Sequence, residues 1–175
     1  MKRKSIALIS TGGTIEKTYD ELQGVLRNRV SVLDVMLAAL ELEGAKLHRV
    51  LLMNKDSLDM TTADFTLIAE TVAKEAAQRD GVIVVHGTDR LATSGERIVS
   101  ELGVPPVPVV LTGAMCPYAM RKTDALQNLT ESLVAVQLLP PGVYVVMHNK
   151  VLRFPGVVKD VTQGTFVRAP EQQAR

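Results

Sequence analysis

The sequence predicts an α/β protein: a doubly wound, mostly parallel sheet with helices on both faces, a three-layer arrangement of the Rossmann-like or flavodoxin-like kind. Three observations predict it. Short apolar runs rich in Val, Ile and Leu recur along the chain, segments with helical spacing separate them, and polar or turn-forming residues follow each run. Strand and helix therefore alternate, which calls for crossover connections and a sheet covered on both sides.

In chain order, "SIALIST" (5–11) is the first strand. "SVLDVMLAALELEG" (31–44) has helical spacing, with Ser31 as its cap and Gly44 as its stop. "KLHRVLLM" (46–53) is the second strand and "TTADFTLIAETVAKEAAQR" (61–79) the next helix, opened by Thr61 and Asp64 as an acidic capping box. "GVIVVHG" (81–87) is a strand and "LATSGERIVSEL" (91–102) a helix. Pro105, Pro106 and Pro108 forbid helix before the strand "PVVLTG" (108–113). The helix "DALQNLTESLVAVQLL" (124–139) ends at Pro140 and Pro141, and "GVYVVMH" (142–148) is the fifth strand. After Lys150 the pattern breaks into short pieces, "VLRFPGVVKD" and "TFVRAP", expected as extended segments at the sheet edge, and "EQQAR" is expected to fray.

The 175 residues suit one domain, 1–175, with a substantial core. With 46% hydrophobic and 22% charged residues and a net charge of +1, the chain has no basic surplus for phosphate neutralisation. Nucleic acid and anionic membrane are therefore not expected as partners. Only 3% of residues are aromatic, so stacking platforms for single strands are missing too. No apolar run reaches bilayer-spanning length, and Lys2, Arg3 and Lys4 precede only a strand-length apolar stretch. Cys116 is the sole cysteine, so no internal disulfide can form. The expectation is an intracellular, cytoplasmic protein.

In a doubly wound sheet, ligands bind beyond the carboxyl ends of the strands, where strand order reverses. The polar segments lie there: "TGGT" (11–14), "NKDS" (54–57), "HGTD" (86–89) and "GAMCP" (113–117). Thr14 follows Gly12 and Gly13, and Thr88 follows Gly87. A hydroxyl attacks a carbonyl only with help from a proton acceptor and from donors for the oxyanion. Tyr19, Asp89 and the backbone N–H groups of the glycine loops are candidates. The same segments also read as ordinary loop openings and helix caps. "STGGTIEK" fits neither common glycine-rich phosphate motif. His48, His86 and His148 lack metal-type spacing, so structural roles are expected, and "TSGE" (93–96) lies inside a helix rather than on a nucleophile elbow.

"TGGTI" (11–15), "DSLDM" (56–60), "HGTD" (86–89), "LTGAM" (111–115) and "VVKD" (157–160), in this order, resemble the bacterial-type L-asparaginase family of threonine amidohydrolases. The resemblance spans nearly the whole chain and only the family's N-terminal domain, as in short forms lacking the C-terminal one. It implies hydrolysis of L-asparagine to L-aspartate and ammonia without metal or cofactor. Thr14 would attack the amide to give an acyl-enzyme, with Tyr19 on a mobile loop. Thr88, Asp89 and Lys159 would form a second cluster; on residue type alone Lys159 reads as a solvated charge at a sheet edge. Ser57 and Asp89 would hold the α-carboxylate and α-amino groups, and Gly13, Asp56, Gly87, Thr88 and Ala114 would line the substrate. Leu58 stands where many members carry a polar residue, which implies one hydrogen bond fewer. A homodimer or homotetramer is expected. The alternatives are a silent amino-acid-binding domain, or an amidohydrolase for another amide such as glutamine or a tRNA-linked amino acid.

Overall fold

The computed structural model describes residues 3–29 and 31–170; the expectation for "EQQAR" falls outside them. β1 (Lys4–Gly12) runs into a 3-10 turn, Thr14–Glu16, then a hairpin of β2 (Thr18–Asp20) and β3 (Val25–Arg27). α1 (Leu33–Ala38), β4 (Ala45–Lys55), α2 (Thr62–Ala76), β5 (Gly81–Val85), α3 (Leu91–Leu102), β6 (Pro108–Thr112), α4 (Ala125–Leu138) and β7 (Gly142–Met147) follow. The described chain closes with β8 (Lys150–Arg153), β9 (Val157–Asp160) and β10 (Thr165–Arg168).

The main sheet has six strands in the order β4-β1-β5-β6-β7-β8, parallel except for β8. Counting only its parallel strands as they occur in the chain, the order is 2-1-3-4-5, the flavodoxin-like winding. The chain leaves β1 for β4 on one side and then returns across it to β5. Strand order therefore reverses between β1 and β5.

The pleat of β1 divides its side chains between two cores. Ala7 and Ile9 join Phe65, Ile68 and Val72 of α2 and Ile98 of α3, while Ile6 and Leu8 join Leu33 and Met36 of α1 and Leu129 and Leu133 of α4. Both faces of the sheet are thus covered, as the continuous apolar runs require. α2 opens as expected: the Thr61 side chain accepts from the Asp64 N–H, and the Asp64 carboxylate accepts from the Thr61 N–H at 2.8 Å.

Three elements differ from the sequence expectation. The helix expected over 31–44 is only six residues long, Leu33–Ala38, and the chain unwinds before Gly44. Ser31 still accepts the Leu33 N–H, at 3.4 Å. The β2–β3 hairpin was not expected; Asp20 accepts the N–H groups of Leu22 and Gln23, and Gly24 takes a positive φ of 67°. Finally, of the segments from Lys150 onward only β8 lies at the sheet edge, turned back from β7 through His148 and Asn149 with φ of 54° and 58°. β9 and β10 form a separate antiparallel ribbon.

Candidate active site

The loops after β1, β4, β5 and β6 meet at the reversal of strand order because three glycines leave no room between them. A Cβ on Gly13, whose φ is 82°, would stand 2.4 Å from the Gly87 backbone. One on Gly87 would stand 2.6 Å from the Ser57 hydroxyl, and one on Gly113 2.3 Å from the His86 carbonyl oxygen. Each glycine is the point at which one loop touches the next. Hydrogen bonds complete the join: the Gly13 N–H donates to the Lys55 carbonyl at 2.8 Å, and Thr11 Oγ1 to the Val85 carbonyl at 2.9 Å.

Thr14 opens the 3-10 turn and is partly exposed. Among the described residues its hydroxyl makes no hydrogen bond. Thr88 is 3% exposed. Lys159, brought in on the β9–β10 ribbon, donates to Thr88 Oγ1 at 2.9 Å and to Asp89 Oδ1 at 2.7 Å. The ammonium therefore ties a buried hydroxyl to a half-exposed carboxylate across about seventy residues of chain.

Ser57 is fully buried, its Oγ accepting from the Arg90 N–H at 3.4 Å. Asp56 caps the turn after β4 by accepting from the Leu58 N–H, and it accepts from Lys17 Nζ at 2.5 Å. Burial works to raise the Asp56 pKa, but the Lys17 and Leu58 hydrogen bonds and the charges of Lys17 and Lys159 outweigh it and hold the carboxyl below its ordinary value. Ala114 is fully buried beside Gly113. Its loop is held by Asp124, which accepts from the Met115 and Cys116 N–H groups at 3.0 and 2.9 Å and pairs with His148 at 2.7 Å. Tyr19 lies on β2, 61% exposed, and borders a hollow with Gly24, Leu26, Ala119 and Met120. The structure brings Thr88, Asp89 and Lys159 into contact and does not bond Tyr19 to Thr14.

His86 is structural. Burial pushes its pKa down to about 4, so the ring is neutral at pH 7. The Gly87 carbonyl can only accept, so Nδ1 carries the proton and donates at 2.8 Å, leaving Nε2 to accept from Ser94 Oγ at 2.8 Å. The Ser94 of "TSGE" thus orients the ring that braces the loop of Thr88. No group of three or more metal-ligating side chains occurs among the described residues.

Sequence reasoning missed Lys17 and Asn28. Asn28 Nδ2 donates to the Gly13 carbonyl at 2.9 Å, fixing the loop of Thr14 from the hairpin side. Both residues follow from the turn and hairpin that the apolar pattern did not reveal.

Glu16 ends the same turn, 1% exposed, and neither carboxyl oxygen has a hydrogen-bond partner among the described residues. Burial raises its pKa; the nearby Ser31 side chain, the Arg49 charge and the Gly12 N–H, with neither Ser31 nor Gly12 in hydrogen-bonding geometry, oppose this without overcoming it. The ionised form is the penalised one, so the stability linked to Glu16 is whole below the ordinary carboxyl pKa and is lost as pH rises through the raised folded value. Glu16→Gln is therefore expected to gain about 1–3 kcal/mol over the natural chain at pH 8 relative to its offset at pH 4, the scale of a buried unsatisfied group. Denaturant titrations at the two pH values check it; an equal offset at both refutes it.

Hydroxyls, an ammonium and glycine-lined backbone thus gather at the switch point of a doubly wound sheet, where such folds place their ligands. Residues 5–170 match the family described as "Asparaginase, N-terminal". The chain belongs to the asparaginase family. An L-asparaginase from Thermococcus kodakarensis is 32% identical over 149 residues, which cover 84% of this chain and 45% of that protein. A component of the glutamyl-tRNA(Gln) amidotransferase of Haloquadratum walsbyi is 36% identical over 146 residues, 82% of this chain and 33% of that protein. Among solved structures, the thermostable L-asparaginase from Thermococcus kodakarensis superposes with a TM-score of 0.84 at 30% identity, covering 94% of this chain and 51% of that one. A probable cytoplasmic L-asparaginase from Campylobacter jejuni gives 0.80 at 28%, covering 95% and 52%. The chain thus spans about half, or less, of the length of these relatives. No helix among the described residues is long and apolar enough to cross a membrane.

Proposed function

We propose that the chain is an L-asparaginase of the cytoplasm, hydrolysing L-asparagine to L-aspartate and ammonia through a threonine nucleophile and an acyl-enzyme, within the one domain of residues 1–175. The observation that carries this reading is the Lys159 ammonium held between Thr88 Oγ1 and Asp89 beside the loop of Thr14. Thr14 Oγ forms the new bond to the amide carbon, its proton passes to the departing nitrogen, and the C–N bond breaks to release ammonia. Water then adds to the resulting ester; Thr88, positioned by Lys159, hands a proton from that water to Thr14 Oγ as the ester bond breaks. Backbone N–H groups near Gly13 and Gly87 receive the oxyanion. Ser57 and Asp89 hold the α-carboxylate and α-amino groups, Asp56 and Ala114 line the substrate, and closure of the β2–β3 hairpin carries Tyr19 toward Thr14. The exposed apolar side chains of Val134, Leu138 and Val151 along α4 and β8 support assembly into a homodimer or homotetramer.

A second reading is an amidohydrolase for glutamine, supported by the likeness to a glutamyl-tRNA(Gln) amidotransferase component. Ammonia release from asparagine and, separately, from glutamine tests both. Release from asparagine is expected; release from glutamine alone favours the second reading, and release from neither by the folded chain leaves a silent amino-acid-binding domain.

A further inference from the structure

Resting on that reading of the site, we propose that His148, in the turn from β7 to β8, is a positioning residue for the reaction: it clamps the β9–β10 ribbon that carries Lys159 to the β6–α4 loop that carries Gly113 and Ala114, and so fixes the spacing of the two parts that enclose Thr88. Lys159 holds the Thr88 hydroxyl at 2.9 Å, and on the other side a Cβ on Gly113 would stand 3.4 Å from the Thr88 methyl carbon. The ribbon forms no ladder with the main sheet, so its height above Thr88 is set by side-chain contacts. Pleating turns Lys159 and its cross-strand partner Phe166 to one face of the ribbon and Thr165 to the other. Lys159 ties the first face to Thr88 and Asp89. Thr165, buried at 6% exposure, ties the second to His148, its Oγ1 lying 3.3 Å from Nδ1.

His148 grips the loop at two points. Its ring Nε2 lies 2.7 Å from Asp124 Oδ2, and its backbone N–H donates to Asn128 Oδ1 at 3.1 Å. Both partners hold the loop in turn: Asp124 accepts the Met115 and Cys116 N–H groups, and the fully buried Asn128 donates to the Gly113 carbonyl at 2.9 Å. The contacts thus close a circuit from Lys159 through Thr88, Gly113, Asn128 and His148 to Thr165 on the same ribbon. The Asp124 carboxylate can only accept, so Nε2 carries a proton and Nδ1 is left to face Thr165. In the neutral ring Nδ1 accepts the Thr165 hydroxyl proton; in the imidazolium it donates to the same oxygen. The bridge therefore stands in either charge state, as a mechanical link requires. The local backbone does not explain the ring. His148 and Asn149, with φ of 54° and 58°, form a two-residue hairpin turn whose preferred first residue is asparagine. The turn by itself asks for a shorter side chain than the imidazole, whose two nitrogens span from Asp124 to Thr165.

Steady-state ammonia release from L-asparagine by the natural chain, His148→Asn, Thr165→Val and Thr165→Ser tests the assignment. His148→Asn suits the turn but cannot reach both partners. It is expected to lower kcat about 10- to 100-fold with KM changed less than about threefold, the effect of misplacing a reacting group by about 1 Å. Thr165→Val should lower kcat alike, the two changes together should cost no more than either, and Thr165→Ser, which keeps the hydroxyl, should retain the rate. The pH profile of kcat should keep its shape in the impaired variants, because the link holds in either charge state. Undiminished kcat, losses that multiply in the double variant, or a limb of the pH profile lost with His148 overturn the assignment. Hydrogen exchange separates it from the activity itself. In His148→Asn the amides of 113–124 and those of 157–168 are expected to exchange about tenfold faster, both segments together. A chain that releases no ammonia yet loosens in both segments keeps the clamp while the asparaginase reading falls. Loosening of one segment alone, or of neither, ends the proposal.

Discussion

Thr14→Ala is expected to lower the rate of ammonia release from L-asparagine by about 10³-fold or more, while the affinity for L-aspartate changes little. The two halves of this expectation have different origins. On the proposed mechanism, removing the Thr14 hydroxyl deletes the covalent route and leaves only what binding and the oxyanion donors supply to direct attack by water. In the proposed site affinity survives because the ligand's carboxylate and ammonium are held elsewhere, on Ser57 and Asp89, and Thr14 offers one neutral hydroxyl. Stability should survive as well: Thr14 is partly exposed and its hydroxyl bonds to nothing among the described residues, so its loss falls among surface changes of about 0.5 kcal/mol or less. A pre-steady-state burst of ammonia in the natural chain, absent from the variant, identifies the acyl-enzyme. Should Thr14→Ala retain turnover while Thr88→Ala abolishes it, the attacking hydroxyl is Thr88 and the two threonines exchange roles.

The fold was legible where packing repeats along the chain. Strands buried on both faces, such as Gly81–Val85 and Pro108–Thr112, leave short continuous apolar runs rich in β-branched residues and bounded by Gly or Pro. Helices α2 to α4 carried caps, stops or prolines that fixed their ends within a few residues. α1 was overextended because "LELEG" (40–44) continues a helical spacing of apolar residues, Leu40 and Leu42, that the structure packs against the second core after a single turn-type bond from the Leu40 N–H to the Leu37 carbonyl at 3.1 Å. The β2–β3 hairpin was missed, and the β9–β10 segments, though read as extended, were placed at the sheet edge, for the opposite reason. Each strand is three or four residues long and at least partly exposed, so no apolar period marks it, and the pairing is set by turn chemistry such as Asp20 with Gly24.

The candidate site was legible where a residue stands at a strand end. Thr14, Asp56, Ser57, Thr88 and Asp89 all follow parallel strands, and a doubly wound sheet sends such residues to one edge. Lys159 is different: it sits on a ribbon outside the main sheet, and residue type alone made it a solvated charge. Only the likeness of "VVKD" to a family pattern singled it out, and the ribbon's approach to α3 explains how a late segment reaches the loop of Thr88. Lys17 had no signal of either kind. Its contact with Asp56 depends on the three-residue turn that Thr14 opens, which no apolar period marks.

Lys159→Met is expected to cost about 10²- to 10⁴-fold in kcat, the usual range for a group that moves or steadies a proton in the transition state. The substitution removes both bonds of the ammonium at once. Thr88, 3% exposed, loses the donor at 2.9 Å, and Asp89 loses the counter-charge at 2.7 Å. An ammonium donates and cannot accept, so both contacts mark Lys159 as a donor that aligns the hydroxyl and the carboxylate. Lys159→Arg keeps the charge and presents a planar fork of donors, and it is expected to recover part of the lost rate, about tenfold over Lys159→Met. Partial recovery fits alignment. Equal loss in the two variants shows instead that the lysine must give up its proton during turnover, because a guanidinium remains charged at any pH the fold survives. The pH profile of kcat separates these outcomes independently. Under alignment, the natural chain and Lys159→Arg share one profile at different heights, whereas a lysine acting as base gives the natural chain an ascending limb that both variants lack.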